Sequence, residues 1–251
     1  MRKDTLFLAT PLIGGAFGLF LRWLQCSIIF DEGTGLAARG AGMSWALIVF
    51  CIAFAIICFF GVWKQDTPRF AAGRTVFGGS KALCLINAVM GALTALAGVM
   101  TALSAHDENR FLWLIFAVLV IFFGLSVMAL ALNKGSEALR ALFCAVPILT
   151  CCFWLILFYK INANEPVLWK FAMDFLAICA NTLAWYFVAG FQYDAPKPAK
   201  TLFFIQIAVF LDILVMADNR PFSMRMIFLC PAIVLLCMSI RLLCKDKVSE
   251  E

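Results

Sequence analysis

The chain has 251 residues, 64% of them hydrophobic and 14% charged, with a net charge of +5 and a mean hydropathy of +0.97. An average soluble domain has about 45–50% apolar and 25% charged residues and needs polar side chains on the outward face of every helix; whole segments here have none, which excludes a water-soluble fold and makes lipid the solvent. The positive charge is explained by where the cations fall along the chain, so nucleic-acid binding is not expected.

A helix rises about 1.5 Å per residue and the hydrocarbon core is about 30 Å thick, so about 20 apolar residues make one crossing. Eight segments qualify, at 6–29, 44–63, 82–104, 111–132, 141–159, 166–190, 201–217 and 224–243. They predict an all-α, polytopic helical bundle of eight transmembrane spans. With no connection long enough for a soluble domain, residues 1–251 form a single membrane domain.

The first span follows Arg2 and Lys3. Its apolar run is too long for a signal peptide and no small-x-small site follows, so it is read as retained. Pro11, Gly14, Gly18, Arg22 and Gln25 recur along it at helical spacing. Small residues let neighbouring helices approach, so this stripe faces protein and carries Arg22 into the bundle. The next stretch, DEGTGLAARGAG, satisfies a dinucleotide fingerprint at Gly33, Gly35 and Ala38. That fingerprint needs a strand before it and a helix after it in a βαβ unit. Here a membrane span stands on each side, so the glycines predict a tight reversal between helices.

After the second span comes a loop rich in Lys and Arg, KQDTPRFAAGRTVFGGSK, read as a cytoplasmic segment. The third span repeats the small and polar pattern with Asn87, Gly91, Thr94, Gly98, Thr101 and Ala105. Pro147 in the fifth span and Pro231 in the eighth predict passive kinks. On the sixth span Lys170, Asp174, Ala177, Asn181 and Trp185 share one face, and Asp212 lies near the end of the seventh.

Thirteen Lys and Arg fall on the side of the two termini and six on the other, with Arg22 inside a span. That bias predicts a cell-membrane protein with both termini cytoplasmic. All four outer loops then carry carboxylates, an acidic rim whose candidate ligand-facing residues are Asp31, Glu32, Asp107 and Glu108. Glu108-Asn109-Arg110 and Asp218-Asn219-Arg220 match each other four spans apart, a pattern a parallel duplication would leave. The other helices do not align at that offset.

A charge at the centre of a membrane helix costs about 2.5–3.5 kcal/mol on insertion scales. Lys170, about 6 Å in, can snorkel, whereas Asp174 and Arg22 at about 12 Å and Asp212 at about 8 Å cannot. Arg22, Lys170, Asp174, Asn181 and Asp212 are therefore the candidates for a substrate or ion pathway. The sequence-based expectation is that spans one, three, six and seven enclose an outward-opening polar cavity where Arg22 pairs with Asp174 or Asp212. The competing reading of the same residues is an ion pair that only orders the bundle.

No G-x-S-x-G elbow, H-E-x-x-H pair or Walker lysine occurs, so the protein is not expected to be an enzyme, and no cofactor is expected. A metal is not expected either, the nearest thing to a ligand set being His106 with the acidic rim residues. The eleven cysteines lie in apolar runs, in part at seven-residue spacing such as Cys51 with Cys58 and Cys144 with Cys151, and read as packing residues. Apart from the lipid bilayer, the expected partner is a small solute or ion bound by a permease or by the membrane component of a transport system. The alternative is a non-catalytic structural or regulatory subunit that packs against a membrane partner. On the orientation read here, a fluorescent protein that folds only in the cytoplasm should give signal when fused to the C-terminus and none when fused after the third span; the reverse pattern would refute it.

Overall fold

The structure, a computed structural model, describes residues 2–28, 42–63, 80–105, 109–132, 136–163 and 168–243. Eight long helices account for nearly all of them: α1 (Arg2–Ile28), α2 (Gly42–Trp63), α3 (Lys81–Leu103), α4 (Arg110–Ala131), α5 (Glu137–Asn162), α6 (Leu168–Ala189), α7 (Pro198–Leu214) and α8 (Phe222–Leu243). A 3-10 turn, Val215–Ala217, closes α7. All eight expected crossings are present as helices long and apolar enough to span a membrane.

Where the boundaries differ from the hydropathy pattern, capping explains it. α5 begins four residues before its apolar run because the Ser136 side chain accepts a hydrogen bond from the Leu139 N–H at 3.4 Å, with Glu137 in the first turn. It ends three residues later, with Lys160 in the last turn. α3 uses the same device, Ser80 accepting from the Leu83 N–H. Pro147 and Pro231 lie inside continuous helices, as does Pro11.

The layout has α7 and α8 at the centre, with 61% and 72% of their most apolar windows buried against 22% for α2. Around them α7 packs on α6, α1 and α2, while α8 packs on α3, α7 and α1; α4 and α5 complete the wall between α3 and α6. The outer faces of the peripheral helices expose Ile13 and Phe17 on α1, Ile52 and Phe59 on α2, and Ile156 on α5. Such a surface suits acyl chains and not water. The predicted stripes all turn inward: Pro11, Gly18, Arg22 and Gln25 on α1, Asn87, Thr94 and Thr101 on α3, and Asp174, Ala177, Asn181 and Trp185 on α6 are buried. Cys58, Cys144, Cys151, Cys230 and Cys237 are buried as free thiols, which agrees with a packing role. The halves do not repeat each other, because α6 packs along α7 whereas α2, its counterpart in a duplication, packs on α1 and α7 and not along α3.

The closest seam is that between α3 and α4. A Cβ added at Gly91 would stand 2.7 Å from the Gly124 carbonyl oxygen, and one at Gly98 would stand 2.9 Å from that of Ala117. The neighbours there are backbone atoms, which cannot swing aside, so glycine is required by the approach itself. Gly124→Ala should therefore destabilise the reconstituted protein by about 1–3 kcal/mol, seen as a lower thermal midpoint. Gly42→Ala, whose added Cβ would meet nothing within 4 Å, should leave the midpoint in place; equal effects of the two would refute the close seam.

Candidate functional site

The chemistry gathers where α1 and α7 end and α8 begins. α1 lies close against the end of α7 because Gly15 faces Ile213 and Gly18 faces Leu214 and Phe210. That approach brings the fully buried Arg22 beside Asp218, with Nε donating to the carboxylate at 3.0 Å. Arg22 also donates to the Gln25 side-chain oxygen at 2.7 Å, and the Gln25 amide in turn donates to the Ser44 hydroxyl of α2 at 2.9 Å. The Cys26 thiol donates to the same Asp218 oxygen at 3.5 Å. Arg225, in the first turns of α8, donates to the Asp218 backbone carbonyl at 3.4 Å.

A second pair lies alongside. Arg220, in the four-residue connection from Asp218 to Pro221, forms a salt bridge with the buried Asp174 of α6. Its guanidinium also sits over the Phe158 ring of α5, 5.8 Å from the centroid. Deeper in, Asn181 donates to Asp212 at 2.6 Å and to the Ala177 carbonyl at 3.0 Å. The second Asp212 oxygen has no partner among the described residues.

The pairing expected from the sequence is thus exchanged. Arg22 is joined to Asp218 and not to Asp174 or Asp212; Asp174 takes Arg220, and Asp212 takes Asn181. The reason is the shortness of the α7–α8 connection. Both helices are central, so a four-residue link between them stays close to the bundle, and the Asp218 and Arg220 side chains turn into it while Asn219 stays exposed. Asp218 is only 8% exposed.

Arg22, Asp174, Asn181 and Asp212 are buried. Beside the Arg220–Asp174 pair lies a cavity of about 280 Å³ between α3, α4, α5 and the start of α8. Its walls include Thr101, Trp113, Trp154, Phe158, Asn162 and Ser223, and Arg220 is its one charged lining residue among those described. The Arg220 side chain is about one-fifth exposed. Trp113 and Trp154 hold the cavity open: Trp154 packs its ring on Phe116 of α4 and Phe228 of α8, with centroids 5.3 and 4.6 Å away. Of the remaining sequence candidates, Asp31, Glu32, Asp107 and Glu108 lie outside the described residues, as does the side chain of Lys170.

Sequence reasoning missed Asp218 and Arg220 as site residues because it read them as solvated rim. The length of their connection gave no signal, because the apolar runs leave six residues there, as at two of the other connections on that side. It also missed the aromatic wall, since aromatics on an apolar helix give no sign of facing a cavity.

Fold and site together define an all-helical, multi-pass membrane protein with a buried arginine–aspartate cluster beside a small cavity. No protein-family model, no curated protein and no solved structure matches the chain.

A double-mutant cycle tests the exchanged pairing. Arg22→Gln with Asp218→Asn should show a coupling of about 1–3 kcal/mol, because either single change leaves a buried charge without its partner. The cycle of Arg22→Gln with Asp212→Asn should be close to additive. Thermal unfolding of the reconstituted variants measures both, and coupling at Asp212 in place of Asp218 would refute the assignment.

Proposed function

We propose that the protein is a small-solute permease, or the membrane component of a transport system, without enzymatic activity or cofactor. It works in the cell membrane with both termini cytoplasmic. The observation that carries this reading is the contact of Arg220 with both the cavity and Asp174, the first buried carboxylate of the α6 polar stripe. A charge that costs several kcal/mol to hold in lipid is thereby set against a space large enough for a small molecule. The buried stripe continues along α6 from Asp174 through Asn181 to Trp185, which supplies polar groups at successive levels of the bundle. The excess of Lys and Arg on the side of the termini supports the orientation.

The packed Arg22–Asp218 pair on its own would equally serve a structural or regulatory subunit, because buried ion pairs often fix packing. Uptake separates the two readings. Proteoliposomes of the protein should accumulate at least one member of a broad panel of labelled small metabolites. The Arg220→Gln, Asp174→Asn double variant, which removes both charges together, should lower that uptake about tenfold or more. No uptake across the panel, or unchanged uptake by the variant, would refute the permease reading.

A further inference from the structure

We propose that Asp212 of α7 and Asn181 of α6 form a binding site for one small monovalent cation, a proton or a sodium ion. The site lies at the seam between α6 and α7, apart from the cavity, and it stands whether or not the cavity carries a solute.

Asp212 differs from the other two buried aspartates. Asp218 has Arg22 and Asp174 has Arg220, whereas Asp212 is 1% exposed and meets no cation among the described residues. Its hydrogen-bond partner there is the Asn181 amide, at 2.6 Å. One turn away along α7, Ala208, Val209 and Val215 are buried and apolar, which leaves the carboxyl group in hydrocarbon surroundings. α6 presents Asn181 to it, and α5 sets the Cys151 thiol within electrostatic range. The other helices packed on α7, namely α1, α2 and α8, present no charged or titratable group to Asp212 among the described residues. The arginines of α1 and α8 at this end, Arg22 and Arg225, turn to Asp218. Lys170, whose side chain lies outside the described residues, is eleven residues from Asn181 along α6, about 16 Å and beyond the reach of a lysine stem.

An isolated carboxylate is among the costliest groups to bury, and in folded proteins such a group is paired, metal-bound or neutralised. One negative charge without a counter-charge therefore calls for one positive charge. The oxygens that would receive it are in place. Asn181 commits its amide hydrogens to Asp212 and to the Ala177 carbonyl, so its side-chain oxygen is left as an acceptor. That oxygen and the second Asp212 oxygen are both buried, and neither has a hydrogen-bond partner among the described residues. Two acceptors on side chains that already touch cannot satisfy each other, but a shared cation satisfies both. A divalent ion fits poorly: it takes about six oxygens, and the described residues hold no group of three or more His, Cys, Asp or Glu that could bind a metal.

Thermal unfolding reads the site without transport. Midpoints of the full-length purified protein are taken across a pH series in choline chloride, and across a sodium series at fixed pH and ionic strength. The wild type is compared with Asp212→Asn and Asp218→Asn. An ion bound only by the folded protein raises the midpoint as its concentration rises, so a proton site stabilises the wild type as pH falls and a sodium site as sodium rises. Asp212→Asn places a neutral residue of the same shape at the site. It should lose that part of the dependence and melt at or above the wild type where the ion is scarce. Asp218→Asn, which takes the carboxylate from Arg22, should keep the dependence and melt lower. Infrared spectra of the wild type with isotope-labelled aspartate decide the case should Asp212→Asn not fold. They should show a protonated aspartate carboxyl band at neutral pH for the proton, or a shift of an aspartate carboxylate band on adding sodium for the metal ion; neither change would overturn the inference. So would an ion dependence identical in the wild type and Asp212→Asn in both series. An Asp212→Asn midpoint as low as that of Asp218→Asn under every condition would overturn it too, because Asp212 would then be serving a fixed cation.

Discussion

Everything at the far end of this bundle follows from the need to neutralise Arg22. A guanidinium that is fully buried in an apolar bundle is tolerated only with a carboxylate and further acceptors around it. The carboxylate comes from Asp218, beyond the last turn of α7, so the chain must bend inward there, and the 3-10 turn Val215–Ala217 makes that bend. Drawing Asp218 in also draws in Arg220, two residues later. That second cation needs its own counter-charge, and Asp174 on α6 provides it. One buried charge therefore determines how α7 ends, how α8 begins and which helix α6 must meet.

Two kinds of seam then decide where space remains. Between α3 and α4, and between α1 and α7, glycines bring the backbones together and leave no gap. At the far ends of α4 and α5 the contacts are made by indoles and a phenyl ring, with Trp113 on Phe116 and Phe116 on Trp154. Large flat side chains keep those helix ends apart, and the cavity lies in the resulting gap with Arg220 in its lining. The charged cluster and the aromatic wall have separate causes, and their adjacency is what gives the site a chemical character.

Much of the architecture was legible in the chain. Lengths of the apolar runs marked all eight crossings, because lipid imposes one length on every span and forbids unsatisfied backbone within it. The 3.6-residue period marked which faces turn inward, and Arg22, Asp174, Asn181 and Asp212 are buried as that period requires. Their partners were not legible. Periodicity gives a direction around one helix and says nothing about which neighbour stands there, so Arg22 could be matched with any carboxylate at similar depth.

By itself the sequence determined the solvent, the number of crossings and the inward faces, since these depend on composition and on spacing within single helices. Tertiary structure alone decided that α7 and α8 are central, and from that the rest follows. A short link between two central helices stays close to the bundle, so two residues that read as a solvated loop, Asp218 and Arg220, become the partners of the buried Arg22 and Asp174. The position of the cavity was likewise a tertiary outcome, because it depends on side-chain bulk at four helix ends that lie far apart in the chain.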